Sequence, residues 1–183
     1  MSLFLRRKQD RGHPELSFFD FDLRRLLDRT KNMFPSLVST PVEVCVQSQP
    51  TLTCIRTGDA PVSIHLHSVL NHPATPERVI AFILCHELLH LIIPPREVSG
   101  KCSAHPPEFR NAEQDMLPDR SLAYGWLIIV LGSCLKRDKE QECTFVKTNW
   151  KKQMNGNRPM LDQIEAIRDC SKSVAQDKEE LLL

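Results

Sequence analysis

Three residues within a five-residue stretch of this sequence have the types and spacing needed for metal chemistry. His86 and His90 are four positions apart in an apolar segment, and Glu87 follows the first of them, so the stretch reads HExxH. On an α-helix, residues four apart share one face with their Cβ atoms about 5 to 6 Å apart, so both imidazoles can bind one metal ion. Glu87 lies about 100° around the helix from His86, where it can face a metal-bound water as general base. The stretch predicts a catalytic zinc site.

A catalytic zinc ion needs a third protein ligand and an open position for water. His105 lies fifteen residues after His90 and begins the run HPPEF, and we predict it as the third ligand. Glu108 and Glu113 are alternatives, because one class of HExxH enzyme takes a glutamate from a later helix. Cys102 is a softer alternative.

One class of HExxH protease is excluded by the residues that follow the motif. Metzincins need a glycine three residues after the second histidine and a histidine six residues after it. Those two positions hold Ile93 and Arg96. The metzincin class is therefore excluded.

The two motifs together resemble those of the SprT/Spartan family of zinc metalloproteases. In that family HExxH is followed, after a loop, by HGxEF, whose histidine is the third ligand; here Pro106 stands where the family usually has glycine. The resemblance covers roughly residues 16–117. It implies a zincin-like zinc peptidase in which His86, His90 and His105 bind Zn²⁺ and Glu87 activates the zinc-bound water for peptide-bond hydrolysis. It also implies an edge strand beside the cleft, for which the segment before the active-site helix is the candidate.

Hydrophobic periodicity predicts the elements that position this site. We expect a helix at about 20–34, strands at 42–46, 51–57 and 62–70, the active-site helix from about 75 to 93, a helical segment ending near 117, an apolar helix at 121–135 and a weak helix at 160–170. Short turns between the strands favour consecutive antiparallel pairing. The predicted fold class is α+β and zincin-like: an N-terminal helix, a three-stranded antiparallel sheet, the active-site helix and additional C-terminal helices.

Three further polar side chains lie on these predicted elements. His65 and His67 alternate with apolar residues in the third strand, so we expect them to face solvent, although both could also bind metal from one strand face. Tyr124 is the sole tyrosine. It is either a core residue or a donor to the oxyanion that forms during hydrolysis.

Length and composition indicate the size and the class of this protein. The 183 residues are 41% hydrophobic and 26% charged, as in a soluble globular domain. We predict a flexible basic arm at 1–14, the metalloprotease domain at 15–135, and a polar extension at 136–183 with one helix packing on the domain. No apolar run is long enough to span a membrane and no signal peptide is visible. Seven cysteines without a CxxC pair favour reduced thiols, so the expected location is cytoplasmic.

The expected partner is a polypeptide substrate. Several members of the resembled family act on DNA-bound proteins, and DNA is a second candidate partner through the basic residues of the arm, Arg6, Arg7, Lys8 and Arg11. The net charge of +1 argues against a surface given over to nucleic acid. Two other functions stay open: a metal-binding interaction domain without protease activity, and a helical structural protein in which HExxH occurs by chance. Glu87 favours the enzyme, because a structural metal site needs no base.

Overall fold

The computed structural model of the chain describes residues 14–58, 61–98, 101–118, 120–138 and 142–154. The described residues form a mixed α+β fold, which confirms the predicted class. The elements are α1 (Leu23–Lys31), β1 (Val42–Gln47), β2 (Thr53–Arg56), β3 (Val62–His67), α2 (Glu77–Ile92), β4 (Arg96–Val98), β5 (Lys101–Ser103), α3 (Pro107–Met116), α4 (Arg120–Trp126), β6 (Leu135–Asp138), β7 (Cys143–Val146) and α5 (Trp150–Gln153). The predicted arm, apart from its last residue, and the predicted helix at 160–170 lie outside the described residues.

The main sheet has its third strand in the centre, in the order β1–β3–β2. β3 pairs in parallel with β1 and antiparallel with β2. The prediction of a wholly antiparallel sheet of consecutive strands is therefore wrong, and so is the prediction that the segment before the HExxH helix is an edge strand. The central position gives β3 hydrogen-bonding neighbours on both edges, and β3, whose Ile64 and Leu66 have no exposed surface, is the most buried of the three strands.

The helix α2, which carries the HExxH stretch, is the central element of the fold. It begins after Pro76 and ends before Pro94 and Pro95, because proline has no backbone N–H to continue a helix. Ten of its sixteen residues are buried, since α1, α3, α4 and β2 all pack against it. A polar group on α2 therefore has to be compensated inside the protein.

The first helix supports α2 from one side. The Asp22 carboxylate accepts hydrogen bonds from the backbone N–H groups of Arg24 and Arg25, which caps the start of α1. Leu23, Leu26 and Leu27 are buried along one face. This amphipathic pattern, with charged residues on the opposite face, is the one from which the helix was predicted.

The apolar helix predicted at 121–135 is present and ends at residue 134. It starts as α4, continues as a π-helical segment at Leu127–Leu131 and closes with a 3₁₀ turn at Gly132–Cys134. Trp126, Leu127 and Leu131 have no exposed surface.

A hairpin of β6 and β7 follows this helix, and the sequence patterns did not predict it. β6 and β7 pair antiparallel. β7 also pairs with the segment just before β2: the Leu52 N–H donates to the Thr144 carbonyl at 2.8 Å, and the Val146 N–H donates to the Pro50 carbonyl at 2.8 Å. Residues that composition assigned to a polar extension therefore continue the line of the main sheet.

The described helices and cysteines bear on two further expectations. None of the helices there combines the length and apolar character that crossing a membrane requires. The six cysteines in the described ranges are free thiols, as the lack of a CxxC pair predicted.

Candidate metal centre

The three histidines predicted as ligands lie together. His86 and His90 are one turn apart on α2, and His105 reaches them from the loop between β5 and α3. One ligand atom from each lies within 4.8 Å of the other two, and the Nε2 atoms of His86 and His105 are 3.1 Å apart. Two nitrogens bound tetrahedrally to zinc at about 2.0 to 2.1 Å would be about 3.3 Å apart. The cluster could hold a metal ion, and zinc as that metal stays a prediction.

The protonation of His90 and His105 suits metal binding. Burial, together with the neighbouring His86 and His105 rings, lowers the pKa of His90 to about 2. Burial and the His86 ring likewise lower the pKa of His105 to about 3. Neutral imidazole is the form that binds metals. The Nδ1 atom of His90 is buried and has no hydrogen-bond partner in the described structure. Removing this polar atom from water without a hydrogen bond costs free energy.

Glu113 on α3 lies behind His86. Its carboxylate accepts a hydrogen bond from His86 Nδ1 at 2.7 Å, and both side chains are buried. A proton held on Nδ1 leaves the Nε2 lone pair directed at the other two histidines. Burial alone would raise the pKa of Glu113, but the contacts with His86 and with Arg120, at 2.9 Å, hold that pKa below its ordinary value. Glu113 therefore orients the His86 ring.

The other candidates for the third ligand lie apart from the histidine cluster. Glu108 forms a surface ion pair with Arg96, and Cys102 is exposed on β5.

The Tyr124 hydroxyl donates to Glu113 at 3.4 Å and its ring packs against Phe82 with centroids 4.8 Å apart. The tyrosine is thus a core residue that contacts the support of His86.

Glu142, at the start of β7, supports His105, and sequence reasoning missed it. Its carboxylate accepts hydrogen bonds from the Ser103 hydroxyl at 3.1 Å and from the His105 backbone N–H at 2.9 Å, and it lies 3.3 Å from His105 Nδ1. These donors hold the pKa of Glu142 below its ordinary value, although burial opposes them. The residue has a φ of 48°, an uncommon backbone conformation for a residue with a side chain.

Glu87 lies in the same cleft as the three histidines, and it is 4% exposed. Burial raises the pKa of its carboxyl, while the His86 ring, the Thr53 side chain and the Ile55 backbone N–H oppose that rise. The cleft has a volume of about 560 Å³. Besides the histidines and the two glutamates Glu87 and Glu142, its walls are mainly small or apolar residues from β2, the end of α2 and β7. Such a site combines a buried proton acceptor with candidate metal ligands in an apolar surrounding.

The two histidines of β3 lie outside this centre, and their predicted exposure to solvent is wrong. His65 is 7% exposed and His67 3% exposed. His65 Nδ1 lies 3.1 Å from the Cys45 sulfur, and His67 packs edge-on against Trp150 with ring centroids 5.5 Å apart. Alternation of apolar and polar residues along a strand shows which residues share a face of the sheet. It does not show whether other elements pack against the polar face.

The chain matches no protein-family model and no curated protein sequence. Membership of the SprT/Spartan family therefore stays a prediction carried by the two motifs. The arrangement itself defines the site as a three-histidine cluster with an adjacent buried glutamate.

Proposed function

We propose that this chain is a zinc-dependent peptidase of the SprT type, acting on polypeptide substrates. The observation that carries the proposal is the placement of Glu87 in one cleft with three convergent histidines. His86, His90 and His105 would hold the zinc ion. When bound, zinc supplies a Lewis acid for the substrate carbonyl and lowers the pKa of a coordinated water.

The side chains of this protein have distinct tasks in the proposed reaction. Glu87 accepts a proton from the attacking water at a carboxylate oxygen and returns that proton to the leaving nitrogen. The Ile55 N–H, which donates to the same carboxyl, fixes the direction from which the proton is taken. A raised pKa suits this exchange, because the group has to hold the proton before it releases it.

Two glutamates keep the ligand rings in place during the reaction. Glu113 fixes His86 through Nδ1, and Glu142 fixes the backbone and Nδ1 side of His105. Such carboxylate and imidazole pairs set both the tautomer and the direction of the ligand nitrogen.

A metal-binding interaction domain is the second candidate function. The burial of Glu87 favours the peptidase, because a buried carboxyl that binds no metal costs free energy that a purely structural site would avoid. DNA-associated proteins are the narrower class of substrates to which the family resemblance points. That extension rests on the basic residues of the arm, which lie outside the described residues.

The test compares four forms of the full chain for zinc content and for hydrolysis of an unfolded protein. We expect about one zinc ion per chain in the unmodified protein. Glu87→Gln should keep the zinc and lose activity by about 10²-fold to 10⁴-fold, which is the usual contribution of a general base. His105→Ala should lose zinc affinity. Glu97→Gln, an exposed glutamate on β4, is the matched control and should behave as the unmodified chain.

Other results would favour another function or another third ligand. Bound zinc without hydrolysis of any substrate, with or without DNA, supports the interaction domain. A chain that binds no zinc supports the structural protein with a chance HExxH. Full zinc affinity in His105→Ala would overturn the assignment of the third ligand.

A further inference from the structure

The outer edge of β2 faces the cleft and can accept a further strand. β2 is an edge strand of its sheet. The His67 N–H donates to the Leu52 carbonyl at 2.9 Å, so alternate peptide groups point to β3 and those of Thr53 and Ile55 point away from it. The contact between the Ile55 N–H and Glu87 agrees with that direction, so a bound peptide would pair with the Ile55 carbonyl and not with this N–H. An extended peptide laid along this edge would pass the three histidines.

The same edge, continued before the start of β2, is already paired with β7. β7 bridges antiparallel to the segment before β2 through Thr51 and Phe145. The last of these contacts joins the Leu52 N–H to the Thr144 carbonyl. A peptide paired with β2 therefore meets the start of β7 at Cys143, because two strands cannot share one edge.

The start of β7 also joins the two walls of the cleft. Thr144 is bonded to Leu52 on the sheet wall, and Glu142, two residues earlier, is bonded to His105 on the opposite wall. This closed end is buried: Leu52 is 0% and Thr144 4% exposed.

The opposite end of the cleft is open. It is lined by Thr57, just after β2, and by Pro94 and Pro95, just after α2. All three residues are exposed. Among the described residues, this is the end of the cleft at which a bound peptide can extend into solvent.

The reacting centre lies close to the closed end. Glu87 contacts the peptide group of Ile55, three residues along β2 from Leu52. Because Leu52 is already paired with Thr144, at about 3.3 Å per residue this leaves room for roughly one to three substrate residues. Antiparallel pairing, the arrangement that β7 already uses along this line, places the carboxyl end of the peptide at the closed end.

We propose that the cleft is blind at the β7 end and that the chain removes short fragments from the carboxyl ends of extended peptides. The inference rests on the proposed peptidase function. Hydrolysis adds the OH of water to the scissile carbonyl carbon and its proton to the leaving nitrogen. The long amino-terminal product leaves through the open end, and a fragment of about one to three residues is released from the closed end.

The experiment compares two peptides of about twelve residues with the same sequence, one linear and one cyclised head to tail, using the full chain with zinc bound. We expect mass spectrometry to show fragments of about one to three residues leaving the carboxyl end of the linear peptide. The cyclic peptide has no end to place against β7, so its cleavage should be at least about tenfold slower. Glu87→Gln should abolish every cleavage that belongs to this site.

Three outcomes would overturn the inference while leaving the peptidase intact. They are cleavage of the cyclic peptide at the rate of the linear one, cleavage in the middle of the linear peptide, and trimming from its amino end, each lost in Glu87→Gln. If the zinc-loaded chain cleaves neither of the two peptides and also does not cleave an unfolded protein, the proposed function itself fails, and the inference fails with it.

Discussion

Two glutamates from distant parts of the sequence hold the imidazoles of the metal centre. Glu113 contacts the Nδ1 atom of His86, and Glu142 contacts the backbone N–H of His105 and lies near its Nδ1 atom. Each contact fixes a ring whose other nitrogen is directed at the cluster. The binding strength of the site should therefore depend on side chains that are not ligands.

Glu113→Gln tests this dependence at a single residue. The amide keeps the size of the side chain but loses the charge that pairs with His86 and Arg120, so zinc affinity should fall by about 10-fold to 100-fold. Competition with a chromogenic chelator measures the affinity. Glu108→Gln is the control, because Glu108 lies on the same helix and pairs with Arg96 at the surface. Equal affinity in the two variants would show that Glu113 does not orient His86.

The cluster of three histidines could be predicted from the sequence, but the glutamates that contact it could not. His86 and His90 are recognised because one helical turn fixes their separation, and His105 follows in a nearby motif. Glu142 acts from 37 residues beyond His105, in a charged segment whose pattern gives no sign of a buried contact. Glu113 had been considered as a ligand, and only the structure shows it on the far side of His86.

At the level of elements, the burial of the β3 histidines depends on what packs against the face of the sheet that carries them. Trp150 of α5 covers His67 on that face. Sequence patterns located the three strands, because alternation is local. Their order could not be predicted, since short turns favoured a meander while the pairing of β1 with β3 depends on contacts between distant residues.

The burial of His67 predicts an acid-sensitive fold. Burial lowers its pKa from 6.5 to about 4, so between these values the unfolded chain binds the proton more strongly than the folded one. Its contribution to stability is present above pH 6.5 and is lost as the pH falls from 6.5 toward 4. In His67→Gln, which does not titrate, the loss of unfolding free energy between pH 7.5 and pH 5 should be smaller by about 1 to 2 kcal/mol.

Urea unfolding with a chelator present, which excludes any contribution of bound metal, measures this difference. His72→Gln is the matched control, because His72 is exposed while its Nδ1 also accepts a backbone hydrogen bond, from Ala74. The control should show the same pH dependence as the unmodified chain. An unchanged pH dependence in His67→Gln would show that His67 does not contribute to acid sensitivity.

At the level of the whole molecule, the metal centre joins parts of the fold that are far apart in the chain. His86 and His90 come from α2, His105 comes from the loop before α3, and Glu142 links that loop to the hairpin. An ion bound to the folded state alone stabilises the folded state by mass action. Stability and metal occupancy should therefore change together.

Zinc at about 100 times its dissociation constant should stabilise the chain by about 2.7 kcal/mol, which raises the Tm by roughly 5 to 10 °C for a protein of this length. Thermal unfolding with zinc and with a chelator measures the shift. His105→Ala should remove most of the shift, and His72→Ala, at an exposed histidine, should keep it. A shift that survives in His105→Ala would place the stabilising metal elsewhere.

The hairpin also decides where the chain can be shortened. A fragment ending at residue 135 would lack β7, so the Leu52 N–H and the Pro50 carbonyl would lose their partners. An open strand edge of this kind is a template for pairing between molecules, and such a fragment would be prone to aggregate. Expression of the candidate domain on its own therefore calls for a boundary beyond residue 146, even though composition alone predicts that the domain ends at residue 135.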